Sequence, residues 1–198
     1  KQGTQVSRAV GKSVSLQQLN NASREEFVSA LRPLFNNETW PLELAWESRP
    51  FGDVNELRAA IQVAVLTADD SRRAALIHDY PAMDELLLAD ADEAATISAD
   101  RGSLGLTDLD DVQTERITEL SAAYRERFDM PFVAYLDTND TVDRVIDAGV
   151  RRLANSPEQE YRTALGEIVE IANDRFDILM ADANPVRSSW DRKFTEVD

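Results

Sequence analysis

The sequence predicts an all-α, single-domain protein that forms a bundle of about eight helices. Three observations support this prediction. Helix-capping patterns recur along the chain, apolar residues follow them at helical spacing, and alternating apolar and polar positions are absent outside residues 132–136. At 198 residues, of which 43% are hydrophobic, the chain is long enough to bury one sizeable core. We expect the helical domain at residues 15–182, a disordered arm at 1–14 and an extended tail at 183–198.

The predicted helices begin at recognisable capping residues. Ser23 and Glu26 form a capping box ahead of an apolar helical face. The segment 156–159, Ser-Pro-Glu-Gln, combines a cap, a proline at the first helical position and a capping-box glutamine, and it starts a helix that we expect to reach about Met180. Leu86–Leu88 indicates a short helix, and residues 90–103 an irregular connector. The other predicted caps are Asp53, Asp70 or Ser71, Thr107 and Asp140.

A long amphipathic helix is predicted to run directly into a short apolar segment. Residues 115–130 place Ile117, Leu120, Tyr124 and Phe128 on one helical face. Proline cannot continue a helix and disfavours helical geometry in the residue before it, so Pro131 should end this one. The backbone groups of the buried, non-helical segment that follows need partners, and a small polar ligand is one candidate. Pro131, Phe132 and Val133 are therefore candidate substrate-binding residues.

Composition excludes several classes of function. The 37 acidic and 21 basic residues give a formal net charge of -16, which disfavours nucleic acid and anionic membrane as partners. The absence of cysteine excludes thiolate catalysis, and the single histidine leaves too few ligands for a transition-metal centre. No run approaches the ~18 apolar residues of a membrane span, and residues 1–14 lack the apolar stretch of a secretory signal. We therefore expect a cytoplasmic protein.

Several segments resemble, in the same order, those of the ureidoimidazoline decarboxylases of urate breakdown. The resemblance covers about 160 residues, and the ordered set is more specific than any one piece. The matching segments are Leu19–Phe27, Trp40, Arg49–Phe51, Leu76–Ile77, Tyr80–Pro81, Gly105–Leu106, Tyr124–Val133, Arg152–Asn155 and Glu167–Arg175.

The resemblance implies an all-helical decarboxylase, usually a homodimer, that needs no cofactor. Its substrate would be 2-oxo-4-hydroxy-4-carboxy-5-ureidoimidazoline (OHCU), and its product (S)-allantoin. Function must still be argued from the site, because one fold can carry different activities.

The family's catalytic histidine is absent from its expected position. That histidine precedes the proline of a His-Pro-Asp-Leu motif, whereas this chain has Tyr80 before Pro81. A phenol can donate a hydrogen bond or a proton, but it is a poor base at neutral pH unless a nearby arginine lowers its pKa. His78, the only histidine, lies two residues earlier and is a second candidate for acid–base catalysis.

A second family motif, Ser/Thr-x-x-Glu-Gln, is also altered. Its positions fall on Ile97, Asp100 and Arg101, with Ser98 one residue from the expected hydroxyl. By the resemblance, Asp100 would accept hydrogen bonds from the ureido or hydroxyl groups of the substrate. Arg152 is retained from the family's Arg-Leu-x-Asn motif, and a guanidinium pairs with the departing carboxylate in a planar fork.

Each of these residues also has a purely structural interpretation. Arg152 is typical of a solvated helix arginine, Asp100 of a turn or a cap. Tyr80 could be an aromatic side chain that fills the former pocket, and His78 a surface histidine.

Three functions follow from these alternatives. The first is an OHCU decarboxylase with a rearranged acid–base group. The second is a diverged relative that binds or decarboxylates another carboxylated heterocycle. The third is a structural role in which the acidic surface meets a basic partner, although such a charge usually serves solubility. We favour the first.

Overall fold

The structure, a computed structural model, describes residues 14–89, 108–137 and 139–181. Within these ranges the ordered elements are all helices, which confirms the all-α prediction. In chain order they are α1 (Leu16–Asn21), α2 (Arg24–Leu31), a 3-10 helix (Arg32–Leu34), α3 (Trp40–Glu47), α4 (Val54–Thr67), α5 (Asp70–His78), α6 (Met83–Leu88), α7 (Asp111–Phe128), α8 (Val142–Arg152) and α9 (Pro157–Leu179).

The capping predictions are confirmed at three helices and displaced at three others. The capping boxes at Ser23 and Ser156 are formed, and Asp53 caps α4. At the other three helices, a neighbouring side chain accepts the hydrogen bond from an N–H group of the first turn. Several suitable side-chain oxygens lie near each helix start, and the path of the chain selects one of them. The observed caps are Asp69 for α5 rather than Asp70 or Ser71, Asp110 for α7 rather than Thr107, and Thr141 for α8 rather than Asp140.

Helix α9 lies at the centre of the packing. It contacts α4, α5, α7 and the 3-10 helix, while α2 packs on α3, α3 on α4, and both α6 and α8 on α7. Its buried apolar side chains recur at helical spacing, as a core-facing stripe requires. They are Ala164, Leu165, Ile168, Ala172 and Phe176.

Helix α7 ends before Pro131, as predicted. Phe128 is its last residue, and Asp129 follows in the left-handed conformation with φ 53°, its N–H bonded to the Arg125 carbonyl at 2.9 Å. Aspartate tolerates this conformation better than most residues. Residues 131–137 then run without helix or strand, and Phe132 and Val133 within them are buried. The prediction of a buried, non-helical segment is confirmed.

Helix α8 approaches this segment closely at Gly149. A Cβ atom there would lie 2.5 Å from Leu120 Cδ2 and 3.0 Å from the Phe132 ring. The glycine therefore allows α8 to pack against α7 and the segment together. Arg152 lies one turn further along α8 on the same face, so this contact brings its side chain to the segment.

Parts of the predicted organisation lie outside the described residues. These are residues 1–13 of the arm, the connector at 90–103 and the tail at 183–198, so the proposed domain limits stay predictions. Among the helices that are described, none has the length and apolar character needed to cross a bilayer.

Candidate active site

Tyr80 lies in the turn between α5 and α6. Helix α5 ends at His78, Asp79 caps it, and Pro81 separates Tyr80 from the start of α6. The Tyr80 side chain is buried, with 6% of the residue exposed, and its hydroxyl has no hydrogen-bond partner among the described residues. Leaving a buried polar group unpaired costs about 1–3 kcal/mol. The hydroxyl would therefore be stabilised by a ligand that accepts its hydrogen bond.

The Tyr80 phenol is neutral at physiological pH. Burial raises its pKa to about 12, because the ionised form would lose its hydration. The positive charge of Arg175 opposes this shift, and the negative charge of Asp79 adds to it. An arginine does lie near Tyr80, but burial outweighs its effect. The phenol can thus donate a hydrogen bond or a proton, whereas it cannot act as a base.

A cleft of about 260 Å³ opens between this turn and the end of α7. Its rim is charged, because Glu85 and Arg125 form an ion pair at 3.2 Å and both side chains are more than half exposed. The lining residues are His78, Tyr80, Ala82, Glu85, Arg125, Asp129, Met130 and Pro131. Three predicted site residues, His78, Tyr80 and Pro131, therefore share one cleft.

His78 lies on the exposed part of that cleft, at the last residue of α5. Asp79 does not orient its ring. Instead, the Asp79 carboxylate accepts hydrogen bonds from the Asn37 backbone at 2.7 Å, the Asn37 side chain at 2.8 Å and the Glu38 backbone at 3.3 Å. His78 is thus accessible to solvent, and no carboxylate of the described residues holds it as a catalytic base.

Arg152 is hydrogen-bonded and largely shielded from solvent, with 13% of its side chain exposed. Its Nε donates to Glu160 Oε1 at 2.8 Å, and its Nη2 donates to the same oxygen. Nη1 donates to the Val133 carbonyl at 2.8 Å, and Nη2 also reaches the Tyr124 hydroxyl at 3.2 Å. The guanidinium carbon stands 4.9 Å from the Phe132 ring centroid, a cation–π distance. These bonds use up to four of the five guanidinium N–H groups.

Glu160 is the carboxylate that pairs with the Arg152 guanidinium. It is fully buried, and Asn155 Nδ2 donates to its second oxygen at 2.8 Å. Burial raises the pKa of Glu160, and the neighbouring Glu167 carboxylate raises it further. Burial also lowers the pKa of Arg152, although a guanidinium stays protonated at physiological pH. The hydrogen bonds from Arg152 and Asn155 favour the charged form of Glu160.

The segment after Pro131 has both satisfied and unsatisfied backbone groups. The Val133 carbonyl bonds to Arg152, and the Tyr135 N–H donates to Glu167 Oε2 at 2.5 Å. In the described part of the chain, the N–H groups of Phe132 and Val133 find no hydrogen-bond acceptor. Side chains of the described residues thus satisfy only part of the segment.

The predicted site residues therefore fall into three sets. His78, Tyr80 and Pro131 line the cleft, with Pro81 in the adjoining turn. Arg152 contacts Phe132 and Val133 in the interior beside the same segment. Asp100 and Ser98 lie outside the described residues, so their roles stay predictions, as do those of the others.

Comparison with known proteins identifies the family. The family model for OHCU decarboxylase matches residues 20–177, which is most of the chain. The chain belongs to the OHCU decarboxylase family. Its similarity to a 2-oxo-4-hydroxy-4-carboxy-5-ureidoimidazoline decarboxylase of Haloferax volcanii is 37% identity over 164 residues, covering 82% of this chain and 94% of that protein. The enzyme of the same name from Mus musculus is 33% identical over 176 residues, covering 85% and 95%.

Solved structures agree with the family at the level of the fold. A crystal structure of (S)-allantoin synthase matches with a TM-score of 0.64 at 22% identity, over 84% of this chain and 54% of the other. A crystal structure of OHCU decarboxylase in the presence of (S)-allantoin matches with a TM-score of 0.62 at 13% identity, over 81% and 99%. The resemblance read from the sequence is confirmed.

Sequence reasoning missed three residues of the OHCU decarboxylase fold that surround the predicted site: Glu160, Glu167 and Arg125. Glu160 stands four residues before buried Ala164 on α9, so an acidic residue on an apolar helical face was the available signal. No comparable signal marked Arg125, whose place at the cleft depends on how α6 packs on α7. Within the described ranges, no group of acidic and histidine side chains could hold a metal ion.

Proposed function

We propose that this member of the OHCU decarboxylase family converts OHCU to (S)-allantoin in urate degradation. The observation that carries the proposal is the family match over residues 20–177, supported by relatives of that name that align over most of both chains. The protein is thus a carboxy-lyase.

The reaction sets three tasks for the site. Breaking the carbon–carboxylate bond releases carbon dioxide and leaves an electron pair on the ring carbon, which a neighbouring ring carbonyl or imine can absorb. A proton must then reach that carbon on one face only, since the product is a single stereoisomer. The site must also hold the substrate's polar groups in a fixed orientation, because misplacement by about 1 Å can cost about 100-fold in rate.

Arg152 supplies the positive charge beside the Pro131–Val133 segment. Its Nε edge is occupied by Glu160 and one Nη1 proton by the Val133 carbonyl, so it offers a substrate one remaining N–H rather than a complete fork. In this role Arg152 stabilises the substrate carboxylate by a charge-assisted hydrogen bond from that remaining N–H.

The backbone of the segment provides neutral donors. The Phe132 and Val133 N–H groups lack acceptors among the described residues, and both residues are buried. Fixed N–H groups directed at a developing negative charge stabilise it without reorganisation. We assign them to the ring oxygen or nitrogen that absorbs the electron pair. In the same proposal Asp100 and Ser98 accept and donate hydrogen bonds at the ureido side.

Tyr80 fits the role of proton donor. Tyr80 lines the cleft beside Pro131, and its neutral, buried hydroxyl has no partner in the described part of the chain. A carbanion-like centre is a much stronger base than a phenolate, so a phenol with a high pKa can still protonate it. Water then restores the phenol, and the net reaction consumes one proton per carboxylate lost. His78, which lies further out, is the alternative donor.

The decisive assay uses freshly generated OHCU and follows the optical activity of the allantoin formed. We expect (S)-allantoin well above the uncatalysed rate. Tyr80→Phe should lower kcat/KM by about 100-fold or more, the usual contribution of a proton donor. The control is Tyr161→Phe, since the Tyr161 hydroxyl only bonds the Asp70 carbonyl at 3.2 Å. Racemic product at the background rate would contradict the proposed reaction. A thermal-shift screen of other carboxylated heterocycles would then test a different substrate.

We extend the proposal to assembly and location. The sequence resemblance supports a homodimer, and membership of a family of metabolic enzymes supports a cytoplasmic location. Light scattering coupled to size-exclusion chromatography measures the first, and a mass of one chain would contradict it. Fractionation of cells tests the second.

A further inference from the structure

Helix α9 carries two carboxylates that reach the same short stretch of main chain. Glu160 and Glu167 are seven residues apart, which is close to two helical turns, so they lie on the same side of α9. That side faces the core, where Ala164 and Ile168 between and beside them are fully buried. Acidic side chains are rarely placed there unless they are paired.

Each carboxylate holds a different point of the segment. Glu160 acts through Arg152, whose Nη1 donates to the Val133 carbonyl at 2.8 Å. Glu167 acts directly, since its Oε2 accepts from the Tyr135 N–H at 2.5 Å. The two points are two residues apart, so α9 holds the main chain from Val133 to Tyr135 directly through Glu167 and indirectly through Arg152 of α8.

We infer that Glu160 and Glu167 are positioning residues for the decarboxylase reaction. Together they fix the orientation of the main chain that carries the Phe132 and Val133 N–H groups, which face the substrate in the proposed function. The inference rests on that proposed function. Neither carboxylate touches substrate, and neither is a proton donor.

Stability alone does not explain these two carboxylates. Replacing a buried ion pair by apolar residues of similar size is often neutral or stabilising, so the Arg152–Glu160 pair is weak support for stability. Tyr135 is only half-buried, so water could satisfy its N–H without Glu167. What the two carboxylates add is a single orientation of the segment.

The principal test compares Glu167→Ala, Glu167→Gln and the control Glu170→Ala in the full-length protein. Glu170 lies on the exposed side of the same helix. Steady-state kinetics give kcat and KM per folded molecule, and hydrogen exchange measures protection of the amides of residues 132–136. We expect Glu167→Ala to lower kcat by about 10- to 100-fold, the cost of a displacement near 1 Å. Faster exchange in that segment should accompany the loss.

The conservative variant separates positioning from a general loss of structure. Glutamine keeps an oxygen that can accept the Tyr135 N–H, so Glu167→Gln should restore a large part of kcat and of the protection. Glu170→Ala should match the wild type in both measurements. Unchanged kcat and exchange in Glu167→Ala would overturn the inference. So would a loss of kcat with normal protection of residues 132–136.

A second pair, Glu160→Gln and Glu158→Gln, tests the indirect contact. Glu158 is exposed and pairs only with Arg162 on the same helix, so its variant should behave like the wild type. Glu160→Gln should increase exchange at Val133 and Ala134. If this variant does not fold, the Glu167 series decides by itself. An inactive wild type would count against the proposed function, whereas the exchange results do not depend on substrate.

Discussion

The two sides of the segment after Pro131 differ in how their polar groups are satisfied. On the side of α8 and α9, partly buried Arg152 and fully buried Glu160 are bonded to each other, to Asn155 and to the Val133 carbonyl. On the side of the turn between α5 and α6, the buried Tyr80 hydroxyl has no partner among the described residues. The charges of the first side are paired away from solvent, whereas on the second side the charged Glu85–Arg125 pair is exposed at the rim and the buried hydroxyl is unsatisfied.

This difference distinguishes the residues that hold the segment in place from the residue proposed to take part in the reaction. A satisfied buried network rigidifies what it touches, and removing one member exposes the full cost of the others. An unsatisfied buried donor is a cost that the folded protein carries, and such groups are concentrated at sites that bind ligands. We therefore expect substitutions of Glu160 to lower stability as well as to disturb the segment, and substitutions at Tyr80 to act mainly on activity.

The largest effect is expected at Glu160. Glu160→Ala leaves the buried Arg152 charge without its carboxylate, so the free energy of unfolding should fall by about 3–5 kcal/mol. Urea denaturation measures this. Exposed Glu158→Ala on the same helix is the control and should change stability by less than about 0.5 kcal/mol. Equal effects of the two substitutions would show that the Arg152 network carries no more than a surface pair.

The next effect concerns Tyr80 at alkaline pH. Its folded pKa of about 12 lies above the unfolded value near 10, so its contribution to stability is complete below pH 10 and is lost as pH rises towards 12. At about 1.4 kcal/mol per pH unit, the loss reaches about 3 kcal/mol. Tyr80→Phe should remove this part of the loss of stability at alkaline pH. At pH 7 the variant should be equally stable or slightly more stable than the wild type, because no hydrogen bond is broken. A destabilised variant at pH 7 would mean that the hydroxyl is satisfied.

Substitution of Gly149 tests how closely α8 packs against α7 and the segment after Pro131. Gly149→Ala forces a Cβ against Leu120 and Phe132, which should destabilise the protein by about 1–3 kcal/mol, the usual cost of overpacking. Gly166→Ala is the matched control, since nothing lies within 4 Å of its added Cβ. It should stabilise α9 by about 0.5–1 kcal/mol, as alanine does in helices. Thermal unfolding of both variants measures the difference, and an equal loss of stability at both positions would show that crowding against Leu120 and Phe132 is not its cause.

The smallest effect is expected at His78. It is exposed on the cleft, so His78→Ala should change stability by less than about 0.5 kcal/mol. If Tyr80 is the proton donor, kcat/KM should also remain close to that of the wild type. A loss of about 100-fold would instead move the acid–base role to His78. The same assay of OHCU turnover distinguishes the two.

The sequence by itself determined the helices and the family. Capping boxes and helical spacing are local features, so Ser23, Ser156 and the stop at Pro131 could be predicted without knowledge of the rest of the chain. The exact cap was less predictable where several acceptors stood together, as at Asp69 and Asp70. The ordered motifs identified the family because they span most of the chain.

Only the tertiary structure decided which partners the polar side chains have and how far they are buried. Arg152 reads as a surface arginine in its own helix, and its burial depends on Glu160 from the next helix and on the Val133 carbonyl. Tyr80 reads as a candidate acid or base, and burial among distant elements sets its pKa. Charge pairing and desolvation are set by neighbours that are remote in sequence, and for that reason no local pattern could have assigned them.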